Sequence, residues 1–297
     1  MIIKFKIRKV MLNNLKAKKV INACFAISMV FLCSCSASFT YNNLSWLSSF
    51  WVDDYIDLNK TQNKQLKQII NTTQAWHRST QLPAYKQDIQ NIKALFNTTL
   101  SIDQLKEQVV FARKHWQNLL EYAHMPLAEL GATLSSEQRE ELLNNIQIKI
   151  NDEREEFNEQ TPLERKSERL EEQFEYYEQW IGKLNKQQKA LIKSTNEQHQ
   201  DSGALWLEYK QTRLNAAKQV FTNAEITKKE FINQLSTVIK ERELYMSDAL
   251  LKTNEANLDL YINLLYELNS TLNDKQRQSV NDQFDELIET LNDIIEN

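Results

Sequence analysis
Along most of this chain apolar residues return every three or four positions, the period of an amphipathic helix. Phe231, Leu235, Val238, Tyr245 and Ala249 lead on through Leu258, Tyr261, Leu265 and Leu268 as one narrow stripe. Leu163, Leu170, Phe174, Tyr177 and Ile181 form another on a segment otherwise crowded with Glu and Arg. A five-residue pattern cuts these stripes into segments. Leu58-Asn59-Lys60-Thr61-Gln62 returns as Leu100-Ser101-Ile102-Asp103-Gln104, Leu134-Ser135-Ser136-Glu137-Gln138, Leu184-Asn185-Lys186-Gln187-Gln188 and Leu272-Asn273-Asp274-Lys275-Gln276. Its physical content is a capping box: Asn or Ser accepts from the third helical amide, and Gln reaches back to the cap's own N–H. Thr227-Lys228-Lys229-Glu230 repeats the device, with Ile226 and Phe231 placed as a hydrophobic staple. Each box marks a helix start, and the uneven spacing excludes a solenoid of fixed period.

The boxes predict helices over Asn59–Thr80, Ala84–Asn97, Ile102–Met125, Ser136–Gln160, Leu163–Ile181, Lys186–Phe221, Lys228–Leu268 and Asp274–Ile295. Pro83, Pro126 and Pro162 are expected at breaks between helices or in first turns, and Gly131 and Gly182 near breaks as C-caps. With three glycines, three prolines and many straight-chain residues, the chain is expected to be all-α, an elongated antiparallel bundle of about eight long helices.

Before the helices comes an apolar run from Val20 to Leu32 that ends in Leu32-Cys33-Ser34-Cys35. Upstream lie Lys4, Lys6, Arg8, Lys9, Lys16, Lys18 and Lys19 and no acid, with Met11 as a second possible start. A basic stretch, an apolar run shorter than the roughly 20 residues that span a bilayer, and a small residue before a cysteine form a lipoprotein signal. The expected organisation is a signal peptide over residues 1–34, the lipidated Cys35 with a polar tether to Asn43, and a helical periplasmic domain over 44–297. Cys35 would then be the only cysteine of the mature chain, so its chemistry is lipidation rather than disulfide formation. Ser36 after it matches an outer-membrane address, with the lipid holding the chain to the membrane and the body facing the periplasm. Leu44–Ile56 carries Trp46, Phe50, Trp51 and Tyr55; packing across the bundle end is expected there ahead of a membrane-interface belt.

Charge narrows the partners. The formal net charge is −4, and the signal segment contributes only basic residues, so the mature body is more acidic still. Nucleic acid needs a basic stripe and is not an expected partner. A phosphate-cradling glycine loop, a nucleophile elbow and H-E-x-x-H are all missing from the sequence. Glu121-x-x-His124 has the spacing of one half of a di-metal bundle site, without the second copy such a site requires. No metal, no cofactor and no enzyme activity is expected. The mixed charges of Asp152–Glu156 and Glu164–Arg169 are expected as a solvated face with pairs one turn apart.

The most distinctive cluster is Trp76-His77-Arg78, followed by Leu82-Pro83 and Tyr85, where one predicted helix gives way to the next. Pinning an interhelix corner is its expected role; a ligand or partner site, with Arg78 gripping an anion, and a catalytic His77 are the alternatives. Trp180, Gly182 and Leu184 predict a tight antiparallel connection.

The lipobox, Asp57-Leu58 with Gln62, Trp76-His77-Arg78 before Leu82-Pro83 and Tyr85, and Trp180 with Gly182 and Leu184 together resemble a lipoprotein family of Gram-negative bacteria known as a domain of unknown function. The resemblance implies location and fold, not mechanism. A weaker likeness is to periplasmic stress chaperones with Leu-Thr-x-x-Gln repeats, curved helical hairpins that cradle unfolded clients. Here Asn or Ser stands in place of the Thr, and the chain is longer. The functional expectation is a non-catalytic protein-interaction or chaperone-like module with an envelope protein partner or clients.

Overall fold
The computed structural model describes residues 33–98 and 100–297. The expected signal peptide lies almost wholly outside them, and the side chain of Cys35 lies outside as well. The described chain is all-α and folds as a helical bundle. Its helices are α1 (Cys33–Asn42), α2 (Leu44–Asp53), α3 (Lys60–Trp76), α4 (Leu82–Phe96), α5 (Ile102–Gly131), α6 (Ser136–Glu159), α7 (Pro162–Ile181), α8 (Lys186–Gln198), α9 (Gly203–Thr222), α10 (Lys228–Lys240), α11 (Asp248–Ser270) and α12 (Asp274–Glu296).

The capping boxes place six helix starts correctly, at Asn59, Ser101, Ser135, Asn185, Thr227 and Asn273. A seventh box, Thr161 with Glu164, starts α7 one residue ahead of the expected start. Four helix ends fall within one residue of the expected place, at Phe96, Glu159, Ile181 and Glu296, but two breaks set by distant side chains do not follow the expectation. Lys186–Phe221 is two helices, because Asn257 of α11 donates to the Gln200 carbonyl and accepts the Gln200 N–H, both at 2.9 Å. Lys228–Leu268 is also divided. Arg213 donates to the carbonyls of Val238 and Ile239 at 3.1 and 3.2 Å and stops α10 there. The expected tether before Asn43 is helical and packs against α12.

Pro83 lies in the first turn of α4, as expected, whereas Pro126 sits inside a helix rather than at a break. Pro126 lies within α5, whose last turn is clamped against α10: a Cβ at Gly131 would come within 2.5 Å of Leu235. Pro83 follows a single π turn, His77–Gln81, that joins α3 to α4 without a change of backbone region. Pro83 cannot donate to Ser79, and widening the helix there moves the Leu82 N–H onto the His77 carbonyl. The Trp76 carbonyl is taken by the hydroxyls of Ser79 and Thr80, at 3.2 and 2.7 Å. The expected interhelix corner is therefore a continuous helix with one widened turn.

Four of the five repeat glutamines form two reciprocal latches. Gln62 and Gln138 each donate to the other's Oε1, at 2.9 and 2.8 Å, and Gln188 and Gln276 do the same at 3.0 and 2.9 Å. Each Oε1 also accepts its own cap's N–H, from Asn59, Ser135, Asn185 or Asn273. Each Nε2 donates once more, to the carbonyl two residues before the partner's cap: Thr133, Asp57, Thr271 and Lys183. Two helix–helix turns are thereby locked face to face, with pseudo-two-fold symmetry, in each half of the molecule.

Two cores lie behind the latches. Around the second, α4, α12, α7, α8, α11 and α5 follow one another in contact and return to α4, closing a ring. It is filled by Tyr177, Ile181, Leu264, Leu268 and Phe284, with Trp180 and Phe96 edge-on to Phe284. Around the first, α3, α5, α10, α9 and α6 form an arc whose two ends meet at the Gln62–Gln138 latch. The end of α2 covers that seam: Asn145 donates to the Tyr55 carbonyl at 2.9 Å, and Ile56 is buried in the first core.

Candidate functional site
Trp76, His77, Arg78, Pro83 and Tyr85 lie around the π turn, and the structure shows what they receive. Tyr41 and Asn42, from the helix that the sequence gives as a tether, dock onto them. The Tyr41 hydroxyl lies 3.2 Å from the Gln74 carbonyl and 3.0 Å from His77 Nδ1. A carbonyl only accepts, so the hydroxyl proton goes to Gln74 and Nδ1–H donates to Tyr41 Oη. Nε2 is left to accept from the Tyr85 hydroxyl at 3.2 Å. Burial, then the neighbouring His115, holds His77 below the usual histidine pKa, and burial raises both Tyr41 and Tyr85. A proton on Nε2 would face a hydroxyl already donating to it, which agrees with the neutral ring.

Arg78 lies over the Tyr41 ring and donates to Asn42 Oδ1. Trp76 stacks on Tyr122 of α5, centroids 4.2 Å apart and planes within 8°. Tyr85 meets His115 of α5 edge-on at 4.3 Å, and His115 Nε2 donates to Asp88 at 2.5 Å. Pro83 is exposed and makes no part of this network; its role is the π turn. Sequence reasoning missed Tyr41, His115 and Asp88. Tyr41 hid in a segment taken as a tether, and the other two lie 27 residues apart with no motif to join them. Glu121 and His124 lie 3.6 Å apart and each has a further partner, Lys240 for Glu121 at 2.6 Å and Ser236 for His124 at 2.6 Å. Arg165 and Arg169 turn away from i,i+4 pairing, to Asp201 and Asn196 at 2.8 and 2.7 Å.

The aromatic stretch is divided in two, a correction to the expected packing. Tyr55 and Ile56 turn inward, whereas Trp46, Phe50 and Trp51 are each slightly over half exposed, with Trp46 edge-on to Phe50 at 4.9 Å. The face they share has no charged side chain between Leu44 and Val52.

Behind α2 the first core is hollow. A cavity of about 520 Å³ lies among α3, α5, α6, α9 and α10, with Val52, Tyr55 and Ile56 of the α2 end in its wall. The second core holds one of about 190 Å³. Lys149, Glu153, Lys210 and Arg213 lie along one edge of the larger cavity.

The geometry defines an all-α bundle in which paired capping turns close two cores, one of them hollow. No helix among the described residues is long and apolar enough to cross a membrane. The chain belongs to the family of unknown function DUF6279, whose model matches residues 54–250. The match takes in the first latch, the π turn and the helices lining the hollow core, and ends inside α11. Comparison with curated proteins and with solved structures gives no match.

Proposed function
We propose that the protein is an outer-membrane-anchored periplasmic lipoprotein that works by binding rather than by chemistry, docking an envelope protein partner on the aromatic face of α2. The observation that carries this reading is the exposure of Trp46, Phe50 and Trp51 side by side on one short helix. Contiguous exposed aromatics are uncommon on a solitary soluble surface, and Trp is among the residues that dominate binding hot spots. The closed hydrogen bonding of His77 supports a positioning role for the Trp76–Tyr85 cluster: it fixes α1, and with it the approach of the body to lipidated Cys35. A small-ligand carrier or enzyme at that cluster has less support, since both ring nitrogens are already engaged.

The test is photo-cross-linking in living cells from a probe residue at Ser45 or Ser49, beside the aromatic face. One dominant protein adduct, lost on Trp46→Ser with Trp51→Ser, is expected. A smear of many envelope proteins would favour the chaperone-like version, and adducts with lipid alone would contradict protein docking.

A further inference from the structure
We propose that the hollow first core takes up one long-chain carboxylate, its alkyl chain lying between α3, α5, α6 and α9 and its head at the α6–α9 rim. The cavity's 520 Å³ is about three and a half times the ~150 Å³ that accepts six-carbon benzene, room for a chain of roughly 16 to 20 carbons. Ligand pockets of a few hundred Å³ with apolar walls and a few convergent polar groups are the usual form of a small-molecule site. Leu66, Leu130, Ile146, Leu214 and Phe221 present hydrocarbon and no hydrogen-bonding side-chain group, so what enters between them must be hydrocarbon too.

The polar groups collect at one edge and are mostly cationic. Lys149, Lys210 and Arg213 stand there against the single carboxylate of Glu153. Glu153 is engaged by Lys210, and Arg213 is engaged by the α10 carbonyls. Lys149, one turn before Glu153, is exposed and has no ionic partner among the described residues. This local excess of positive charge occurs on a chain of net charge −4, and one carboxylate head offsets part of it. Gln147 and Gln211, which do not line the cavity, donate to each other at 2.9 and 2.8 Å and pin α6 to α9 beside it. The way in runs along the seam between α3 and α6, beneath the end of α2, where Val52 and Tyr55 line the cavity. Uptake of the chain depends neither on protein docking at α2 nor on lipidation of Cys35.

The test uses the full chain in phosphatidylglycerol vesicles and a palmitic acid carrying a mid-chain diazirine, with adducts mapped to peptides after irradiation. Adducts are expected on the facing walls of α3, α5, α6 and α9. Leu130→Trp fills the cavity and should lower their yield about fivefold. Lys149→Glu, at an exposed position that leaves the fold intact, should lower it about threefold. Adducts confined to α1 and α2, or unmoved by both substitutions, would overturn the proposal. Competition by a monoacyl phospholipid but not by unlabelled palmitate would overturn the choice of a carboxylate head.

Discussion

The two cores are closed by the same latch and differ in what the latch has to do. Gln188 and Gln276 are both buried, at 0% and 5% exposure, inside a ring of helices that would stay closed around them. Gln62 is buried but its partner Gln138 is half-exposed, and this pair joins the two ends of an open arc. The same hydrogen bonds are therefore a sealed structural element in one half and the clasp of an incomplete wall in the other. Burial decides the energetics, because an amide that loses its partner away from water has nothing to replace it, whereas one near the surface does. The half with the weaker clasp is also the half with the larger cavity and with α2 across its seam.

The largest effect should come from Gln188→Ala, which strands the Gln276 amide, the Asn185 N–H and the Thr271 groups in a dry site. We expect a loss of about 3 kcal/mol and a melting temperature lower by roughly 6–10 °C. Gln138→Ala should cost only about 1 kcal/mol, because water reaches what it leaves behind. Equal losses by thermal denaturation would erase the distinction between the halves. A smaller and pH-dependent effect belongs to His77. The unfolded chain takes up its proton near the ordinary value of 6.5, while the folded chain does so only at lower pH. The stability is present above pH 6.5, is lost as pH falls from there to the folded value, and then levels off. His199, also held low chiefly by burial, acts in the same direction, so His77→Gln should flatten part of the acid loss in denaturant titrations and His199→Gln the remainder. The smallest effect is expected at Gln104. It has a capping box but no partner glutamine, and Gln104→Ala should cost about 0.5 kcal/mol, the value of a simple cap.

How much of this was legible depended on range along the chain. A capping box is complete within four residues, so every box recognised in the sequence marked a true helix start. Two helix ends were not legible, because Asn257 stops α8 from 57 residues away and Arg213 stops α10 from 25. The glutamine pairs join residues 76 and 88 apart, so the motif showed while its partner did not. At the candidate site the residue types were visible but their purpose was not. Pro83 signals a break in most helices, and here the π turn absorbs it. The exposed face of α2 was misjudged for a related reason: Trp46 and Tyr55 look alike in a hydrophobic pattern, and which of them faces inward is set by the open seam between α3 and α6.

Hydrogen exchange of the full chain, resolved to peptides, separates the two halves most directly. If the first core is an open arc held by a clasp, amides of α2, α3 and α6 exchange through local opening, well before those of α8, α11 and α12, which wait for global unfolding. Long-chain carboxylate should slow the first group and leave the second unchanged. Uniform protection across both halves, or faster exchange in α8 and α12 than in α3 and α6, would contradict a working hollow half beside a sealed one.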